Sequence, residues 1–256
     1  MFDYPAPQSL LSGRVILVTG AGDGIGRAAA RSYAAAGATV VLLGRTLEKL
    51  EAVYDEIESA GHPQPALVPL NLDTATEAAY IELANMIDSE FGRLDGILHN
   101  ASLLGQRTPL ENYDPITFEQ VMRVNVNAGF LLTQALLPLV KQSEDASIIF
   151  TTSSVGRKGR AYWGAYAISK FATEGMMQTL SDEYSNSENI RVNCINPGAT
   201  ATNMRSYAYP AEDPKTIASA SDIQPLYLYL MGPDSRGVTG QSIDAQGSGT
   251  PADYRG

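Results

Sequence analysis

Residues 19–26, TGAGDGIG, decide the fold of this chain. The segment before them, 15–19, is a short run of apolar and β-branched residues that predicts a buried parallel strand. The alanine-rich segment after them, 27–36, predicts a helix. Glycines let the backbone approach a pyrophosphate, and the helix N-terminus stabilises its charge. The stretch therefore predicts a phosphate-binding turn, although a lone glycine-rich motif is also compatible with a plain tight turn.

Apolar strand-like runs alternate with helical patterns along the rest of the chain, which indicates βαβ units. The predicted strands are 15–19, 39–43, 66–70, 96–100, 147–152, 190–195 and 242–245. The predicted helices are 25–36, 47–60, 77–91, 118–141, 166–184 and 222–231. Right-handed crossovers then give an α/β fold with a Rossmann-like, doubly wound parallel sheet of about seven strands, flanked by helices. The motifs should lie at the carboxyl ends of its strands.

The composition of the 256 residues suits a single domain spanning 1–256, since 44% are hydrophobic and 18% are charged. A net charge of −10 disfavours a nucleic-acid surface. Cys194 is the only cysteine, so no internal disulfide can form, and we interpret it as a core residue. There is no membrane-length apolar run, signal-like start or metal-ligand cluster. We therefore expect a cytoplasmic protein without metal or membrane partners.

Tyr166 and Lys170 are spaced four residues apart, which on a helix places a phenol and an ammonium on one face. A neighbouring cation favours the phenolate, so we expect Lys170 to bring the pKa of Tyr166 from about 10 towards neutrality. Such a pair can transfer protons. The spacing alone also fits a chance pair on a helix.

Several motifs occur together in the order and approximate spacing of one family. They are Thr19-Gly20-xxx-Gly24-Ile25-Gly26, Asn100-Ala101, Asn125, Ser153, Tyr166-xxx-Lys170, Asn196-Pro197-Gly198 and Thr239-Gly240. Together they resemble the short-chain dehydrogenases/reductases from about Leu11 to Ala245. The segment 228–246 looks like a bacterial branch of uncharacterised oxidoreductases. The resemblance implies an NAD(P)-dependent enzyme acting on CH–OH and C=O groups, and a homodimer or homotetramer formed through the helices bearing Asn125 and Tyr166.

The resemblance also implies a catalytic set. Ser153 and Tyr166 would hydrogen-bond the substrate oxygen, and Tyr166 would give or take the proton. Lys170 would also bind the nicotinamide ribose, and Asn125 would hold a water that extends the proton relay through Lys170. The family's usual distances to the tyrosine and to the next glycine select Ser153, with Ser154 in reserve.

The cofactor contacts that the resemblance implies are Gly20, Gly22, Asp23, Gly24, Ile25, Gly26, Arg45, Asn71, Leu72, Asn100, Ala101, Tyr166, Lys170, Pro197, Gly198, Thr200 and Thr202. Arg45 follows the second predicted strand, where enzymes that use NAD tend to carry an acid, so NADP(H) is favoured over NAD(H). Asp23 and Asn71 depart from the family pattern. The carboxylate of Asp23 would either repel the 2′-phosphate or form a salt bridge with Arg45.

The substrate is expected to be a small carbonyl compound or alcohol, bound partly by the segment 199–225. Residues 102–105, 162–163 and 204–210 should line that end of the cleft, and their apolar and aromatic side chains suit an apolar substrate. Arg160 or Arg205 would instead receive a carboxylate. Tyr162 and Trp163 equally fit a subunit interface.

The sequence leaves two alternatives open, one for the role of His99 and one for the function of the protein. His99 stands where the family usually has asparagine, and we interpret it as a structural hydrogen-bonding residue rather than an acid or base. The alternative function is a nicotinamide-nucleotide-binding sensor with little turnover. That alternative would need only the glycine turn and Arg45, so the additional catalytic set favours an enzyme.

Overall fold

The computed structural model describes residues 1–187 and 189–254. Residues 188 and 255–256 of the predicted domain lie outside the described residues. The strands of the central sheet are β1 Val15–Thr19, β2 Thr39–Gly44, β3 Ala66–Pro69, β4 Gly96–His99, β5 Ala146–Thr151, β6 Ile190–Asn196 and β9 Ser242–Asp244. A separate pair consists of β7 Thr200–Ala201 and β8 Ala218–Ser219.

The seven central strands are all parallel and lie in the order β3-β2-β1-β4-β5-β6-β9. The order reverses between β1 and β4, and this switch point opens a crevice at the carboxyl ends of the two strands. β1, β4, β5 and β6 are buried along their whole length, as their apolar runs predict. The predicted fold class is confirmed.

Helices cover both faces of the sheet. They are α1 Gly24–Ala35, α2 Leu47–Ser59, α3 Glu77–Phe91, α4 Pro115–Met122, α5 Ala128–Val140, α6 Gly164–Glu183, α7 Asn203–Ala208 and α8 Gln224–Met231. α1, α2 and α8 pack in one hydrophobic cluster, and α3, α5 and α6 pack in another. Alternate residues of β1 contribute to the two clusters, because successive side chains of a strand point to opposite faces. Among the described helices, none combines the length and the apolar character needed to cross a membrane.

The prediction of one continuous helix over 118–141 is wrong, because the structure has two helices there, α4 and α5. α4 begins earlier, at Pro115, where the carboxylate of Asp114 accepts a hydrogen bond from the Thr117 amide. A π-helical turn, Arg123–Asn127, then separates α4 from α5. Such turns often mark functional positions, and this one contains Asn125.

Two other helix predictions need correction. α8 begins at Gln224 rather than Asp222, because the carboxylate of Asp222 accepts a hydrogen bond from the Ser219 amide in a turn. α7 was not predicted, since six residues carry too little periodicity to reveal a helix. It begins after Thr202, whose hydroxyl accepts a hydrogen bond from the Arg205 amide.

Candidate active site

A cleft of about 680 Å³ runs along the carboxyl ends of the central strands. It contains nearly all of the predicted cofactor contacts, and it also contains Ser153. Two predicted residues do not line it. Gly26 lies behind the glycine turn, and Asn125 lies beside a second, smaller cavity.

The glycine turn has the close backbone packing that a phosphate-binding turn requires. A Cβ at Gly26 would lie 2.2 Å from the carbonyl oxygen of Gly20, so no larger residue fits there. Gly20 has a φ of 68°, and a Cβ there would lie 3.1 Å from Cα of Ala101. Asp23 caps α1 by accepting a hydrogen bond from the Gly24 amide at 2.8 Å. The N-terminus of α1 therefore faces the cleft with its positive dipole end.

The wall across from the glycine turn is fixed by Thr19. The hydroxyl of Thr19 accepts hydrogen bonds from the amides of Asn100 and Ala101, at 2.9 and 3.0 Å, and donates to the carbonyl of Leu98. Thr19 belongs to the sequence motif, but no role for it was predicted. The hydroxyl ties β1 to β4 at the switch point.

Gln246 fixes the loop after β6 and was also missed. Its side-chain amide donates to the carbonyls of Pro197 and Ala199, at 2.9 and 2.7 Å. This holds the loop of Pro197 and Gly198 against the cleft. Nothing in the sequence around Gln246 signals that role, because the contact depends on the pairing of β6 with β9.

The charges at the end of β2 differ from the predicted pairing. Asp23 binds Lys49 at 2.5 Å and the amide of Asn203 at 3.0 Å, and not Arg45. The Lys49 contact contributes most to a lowered pKa of the Asp23 carboxyl, which burial opposes. Arg45 is exposed at the cleft and makes no hydrogen bond or ion pair within residues 1–187 and 189–254. Asn71 also lines the cleft, but its side-chain oxygen accepts from the Asp73 amide in a local turn.

Tyr166 and Lys170 lie together on α6, as predicted, but the expected effect on the tyrosine is wrong. Burial raises the pKa of Tyr166 to about 12, opposed by a hydrogen bond with Ser153. The Nζ atom of Lys170 lies 5.4 Å from the centre of the Tyr166 ring and donates to the carbonyl of Thr151 at 2.8 Å. Burial also lowers the pKa of Lys170 to about 8. Desolvation therefore outweighs the attraction that the sequence suggested.

The two candidate serines have different surroundings. Ser153 lies two residues after the end of β5, lines the cleft and hydrogen-bonds Tyr166. Ser154 begins a short 3₁₀ turn, is exposed, and does not line the cleft. The geometry therefore groups Ser153 with Tyr166.

Asn125 is held on the far side of Lys170 by the π-helical turn. Its side-chain oxygen accepts from the Leu103 amide at 2.7 Å, and its nitrogen donates to the Leu103 carbonyl and to Ser169. Asn125 and Lys170 both line a cavity of about 20 Å³. A cavity of that size has room for about one water molecule.

His99 also lines this small cavity. Its Nε2 atom lies 2.9 Å from the hydroxyl of Thr133, and its ring stacks on Phe150. Burial lowers the pKa of His99 to about 3, so the ring is neutral at physiological pH. No group of three or more metal-ligating side chains occurs in the described part of the chain.

The substrate end of the cleft is mostly apolar, with Leu104, Trp163, Met204 and Ala208 in its wall. Tyr162 does not share this wall with Trp163. It is 56% exposed and lines a separate outer groove.

The two candidate arginines are not free for a carboxylate. Arg205 lines the cleft but is bound in bidentate fashion by Glu212, at 2.6 Å for both contacts. Arg160 lies outside the cleft, beside the hydroxyl of Tyr209. The surroundings therefore favour an apolar substrate over an acidic one.

A glycine-lined cradle at a sheet switch point, beside a buried tyrosine and lysine, characterises a nicotinamide-dependent oxidoreductase. The family model described as short chain dehydrogenase matches residues 14–213. The chain belongs to this family, and it is therefore an oxidoreductase of the NAD(P)-dependent kind that acts on CH–OH and C=O groups. The resemblance seen in the sequence is confirmed.

Three relatives illustrate the similarity. The uncharacterized oxidoreductase YciK of Escherichia coli K12 is 56% identical over 243 residues, covering 95% of this chain and 96% of that protein. A solved structure from Pseudomonas syringae is 64% identical, with a TM-score of 0.95, over 96% of this chain and 100% of that one. Another solved structure, from Shigella flexneri 2a and complexed with NADP, is 56% identical and has a TM-score of 0.92. The match covers 94% of this chain and 100% of that one.

Proposed function

We propose that this protein is an NADP(H)-dependent reductase that converts an apolar carbonyl compound to a secondary alcohol, with Tyr166 as the proton donor. The observation that carries the proposal is the placement of Tyr166, hydrogen-bonded to Ser153 and beside Lys170, in the wall of a glycine-lined cleft. We also propose that 1–256 is one domain whose segment 199–225 binds the substrate. The predicted cytoplasmic location stays a prediction.

The cleft fits a dinucleotide. The glycine turn packs its backbone closely, since a Cβ at Gly26 would meet the carbonyl of Gly20, and this suits a pyrophosphate at the N-terminus of α1. The remaining predicted contacts, from Asn71 to Thr202, line the same cleft, and Lys170 would hold the nicotinamide ribose. When bound, the nicotinamide supplies the hydride for reduction or accepts it for oxidation.

NADP(H) is favoured because Arg45 presents an uncompensated guanidinium at the cleft, while the neighbouring Lys49 is already paired with Asp23. A guanidinium binds phosphate oxygens in bidentate fashion. The Shigella flexneri relative, complexed with NADP, supports the same choice.

At neutral pH the chain's own groups have the protonation states that reduction of a carbonyl requires. Tyr166, with a pKa of about 12, is protonated and able to donate to a developing alkoxide. Lys170, with a pKa of about 8, is mostly charged and stabilises the negative charge left on the phenol. Ser153 hydrogen-bonds the same substrate oxygen, and a water in the cavity beside Asn125 exchanges protons with Lys170.

A homodimer or homotetramer stays part of the proposal. α5 and α6 carry exposed apolar side chains on their outer surfaces, including Phe130, Ile168 and Phe171, which are 52%, 40% and 46% exposed. A second subunit would cover them. Light scattering of Phe171→Lys should report a smaller particle than the wild type, whereas Ile81→Lys, at a similarly exposed position on α3, should leave the mass unchanged.

The deciding experiment is a panel of apolar ketones and aldehydes assayed by NADPH absorbance, followed by Tyr166→Phe with the best substrate. The variant should lose about 10²–10⁴-fold in kcat, the usual worth of general acid assistance. Its affinity for NADPH should be nearly unchanged, measured by the fluorescence of Trp163, the only tryptophan, whose ring lies 5.7 Å from that of Tyr166.

Tyr162→Phe is the matched control, because Tyr162 lies on the outer groove, and it should keep the wild-type rate. A Tyr166→Phe enzyme that keeps most of its kcat would refute the assigned proton donor. A wild type that binds NADPH but reduces nothing in the panel would instead favour the nucleotide-binding sensor.

A further inference from the structure

The wall of the small cavity beside Lys170 includes His99, an imidazole that the proposed mechanism does not use. His99, Asn125 and Lys170 contribute to its wall, as do the hydroxyl-bearing residues Thr151 and Thr173. Lys170 lines both this cavity and the main cleft, so it joins the two spaces. A water in the cavity would therefore lie beside Lys170.

The hydrogen bonds around His99 define its tautomer. The hydroxyl of Thr133 donates to the carbonyl of Gly129 at 2.7 Å, so its single proton is already used. With that proton used, the hydroxyl can only accept from Nε2, 2.9 Å away, and on this basis we assign the proton of the neutral ring to Nε2. Nδ1 is left as a hydrogen-bond acceptor.

The position of Nδ1 indicates which space it faces. A Cβ built on Gly129 would lie 4.0 Å from Nδ1, and Gly129 is one of the residues that line the cavity. Thr133, which binds Nε2, does not line the cavity. Nδ1 makes no hydrogen bond within residues 1–187 and 189–254. A buried acceptor beside a polar cavity of one-water size is best satisfied by that water.

We propose that His99 is a positioning residue, whose Nδ1 atom holds the cavity water against the ammonium of Lys170. The proposal rests on the proposed function for its catalytic consequence. When Nδ1 accepts a hydrogen bond from the water, the oxygen of the water is directed towards Lys170. The water then exchanges a proton with Lys170 without first having to rotate.

The imidazole orients the water and does not itself take the proton. Its pKa of about 3 keeps it neutral through the working range of pH. Among the residues lining the cavity, Lys170 is the only other titratable group; β1 and β5 contribute Thr19, Phe150 and Thr151, and α6 contributes Thr173. No carboxylate in that set would raise the basicity of the ring.

Two substitutions separate the two ring nitrogens. His99→Asn keeps an acceptor near the level of Nδ1 and loses the donor to Thr133, whereas His99→Gln keeps a donor near Nε2 and loses the acceptor. His99→Gln should lower kcat about tenfold, the worth of roughly one hydrogen bond, and enlarge the solvent deuterium isotope effect. His99→Asn should stay within about twofold of the wild-type kcat, since the water keeps its partner.

The KM for NADPH and its fluorescence titration should be unchanged in both variants, which shows that the cleft is intact. Equal effects on kcat, or a larger loss in His99→Asn than in His99→Gln, would overturn the proposal and leave His99 as a structural partner of Thr133. The isotope effect distinguishes the two roles, because a looser fold lowers stability without making proton transfer slower.

A crystal structure of the wild type tests the same idea without any substrate. It should show an ordered water within hydrogen-bonding distance of both Nδ1 of His99 and Nζ of Lys170, and the His99→Gln structure should lack it. A dry wild-type cavity would overturn the proposal. Absence of turnover in the wild type would instead refute the proposed function, while the crystal structure would still decide the role of His99.

Discussion

The two ends of the central sheet both bury charged side chains, but they differ in whether those charges meet an opposite charge. At the amino ends of the strands, Asp145 binds Arg14 and Arg191, and Asp95 accepts hydrogen bonds from Arg93 and the hydroxyl of Ser143. Every one of these ions has an oppositely charged partner. Such a network fixes the start of several strands relative to one another.

At the carboxyl ends, the buried charge of Lys170 has a carbonyl partner, and the buried phenol of Tyr166 has a hydrogen bond with Ser153. Burial accordingly moves both pKa values away from their ordinary levels. Charges neutralised by an opposite charge hold the fold, whereas a buried ammonium bound to a carbonyl, like that of Lys170, is available for substrate and cofactor. The comparison predicts that substitutions at the amino ends of the strands lower stability. Substitutions at the carboxyl ends should instead change the reaction rate or cofactor binding.

The largest expected effect is at the amino end, for Asp145→Asn. Removing the carboxylate leaves Arg14 and Arg191 buried without their anion, and breaking a buried pair of this kind costs about 3–5 kcal/mol of unfolding free energy. Chemical denaturation should show that loss, with NADPH affinity unchanged in the folded fraction. Asp88→Asn, on the exposed surface of α3, should cost almost nothing.

The same carboxylate should give a pH signature. Burial alone would raise the pKa of Asp145, but Arg14 and Arg191 outweigh it, so the folded-state pKa lies below the ordinary value. Its stabilising contribution is therefore complete above the unfolded pKa of about 3.9 and is lost as pH falls through the folded value. The pH dependence of denaturation below 4 should be weaker in Asp145→Asn, and an unchanged profile would contradict the assignment.

The second-largest expected effect is that of Ser153→Ala, at the carboxyl ends of the strands. Loss of a hydrogen-bond donor to a developing oxyanion costs about 10²–10³-fold in kcat. Thermal stability should barely change. Ser154→Ala is the matched control and should stay near the wild-type rate, because Ser154 does not line the cleft. The opposite order would move the catalytic role to Ser154.

A smaller effect is expected for Arg45→Leu, which sharpens the comparison between paired and unpaired charges. NADPH should bind about 10- to 150-fold more weakly, the worth of a charge-assisted hydrogen bond of ~1.5–3 kcal/mol, and NADH should be little affected. The difference should shrink with salt. Lys49→Leu should cost less, because Lys49 is already bound to Asp23. Equal losses for both cofactors would overturn the NADP assignment.

The smallest effect belongs to Asp23→Asn. An amide oxygen still caps α1, but Lys49 is released and one negative charge leaves the cleft. Exposed ion pairs contribute about 0.2–1 kcal/mol, so NADPH affinity should rise by no more than a few-fold. NADH affinity is the control and should stay the same. A weaker affinity for NADPH would mean that Asn203 needs the carboxylate to hold α7 over the cleft.

The sequence predicts the seven central strands to within a residue or two, because buried parallel strands have continuous apolar runs between turns. The pair β7 and β8 was not predicted, since two residues are too few to show a pattern. The sequence also predicts which side chains meet at the cleft, since the switch point brings the ends of β1 and β4 together. The π-helical turn at Asn125 was not predictable, because it depends on hydrogen bonds to the distant Leu103.

The electrostatics were predicted less well than the placement of residues. The pKa of Tyr166 depends on how deeply α6 packs, and spacing along a helix does not encode burial of the tip of a side chain. Likewise, Asp23 is close in sequence to neither Lys49 nor Asn203, and only the folded chain shows that it binds these two rather than Arg45.

The clamp formed by Gln246 has a consequence for the order in which the site is completed during synthesis. The glycine turn is made early by the ribosome, but the loop of Pro197 and Gly198 is held by a residue that follows β9. A nascent chain that ends before β9 has the glycine turn but lacks the side chain that holds the loop of Pro197 and Gly198. The cofactor cleft is therefore completed only after the segment that follows β9 has been synthesised.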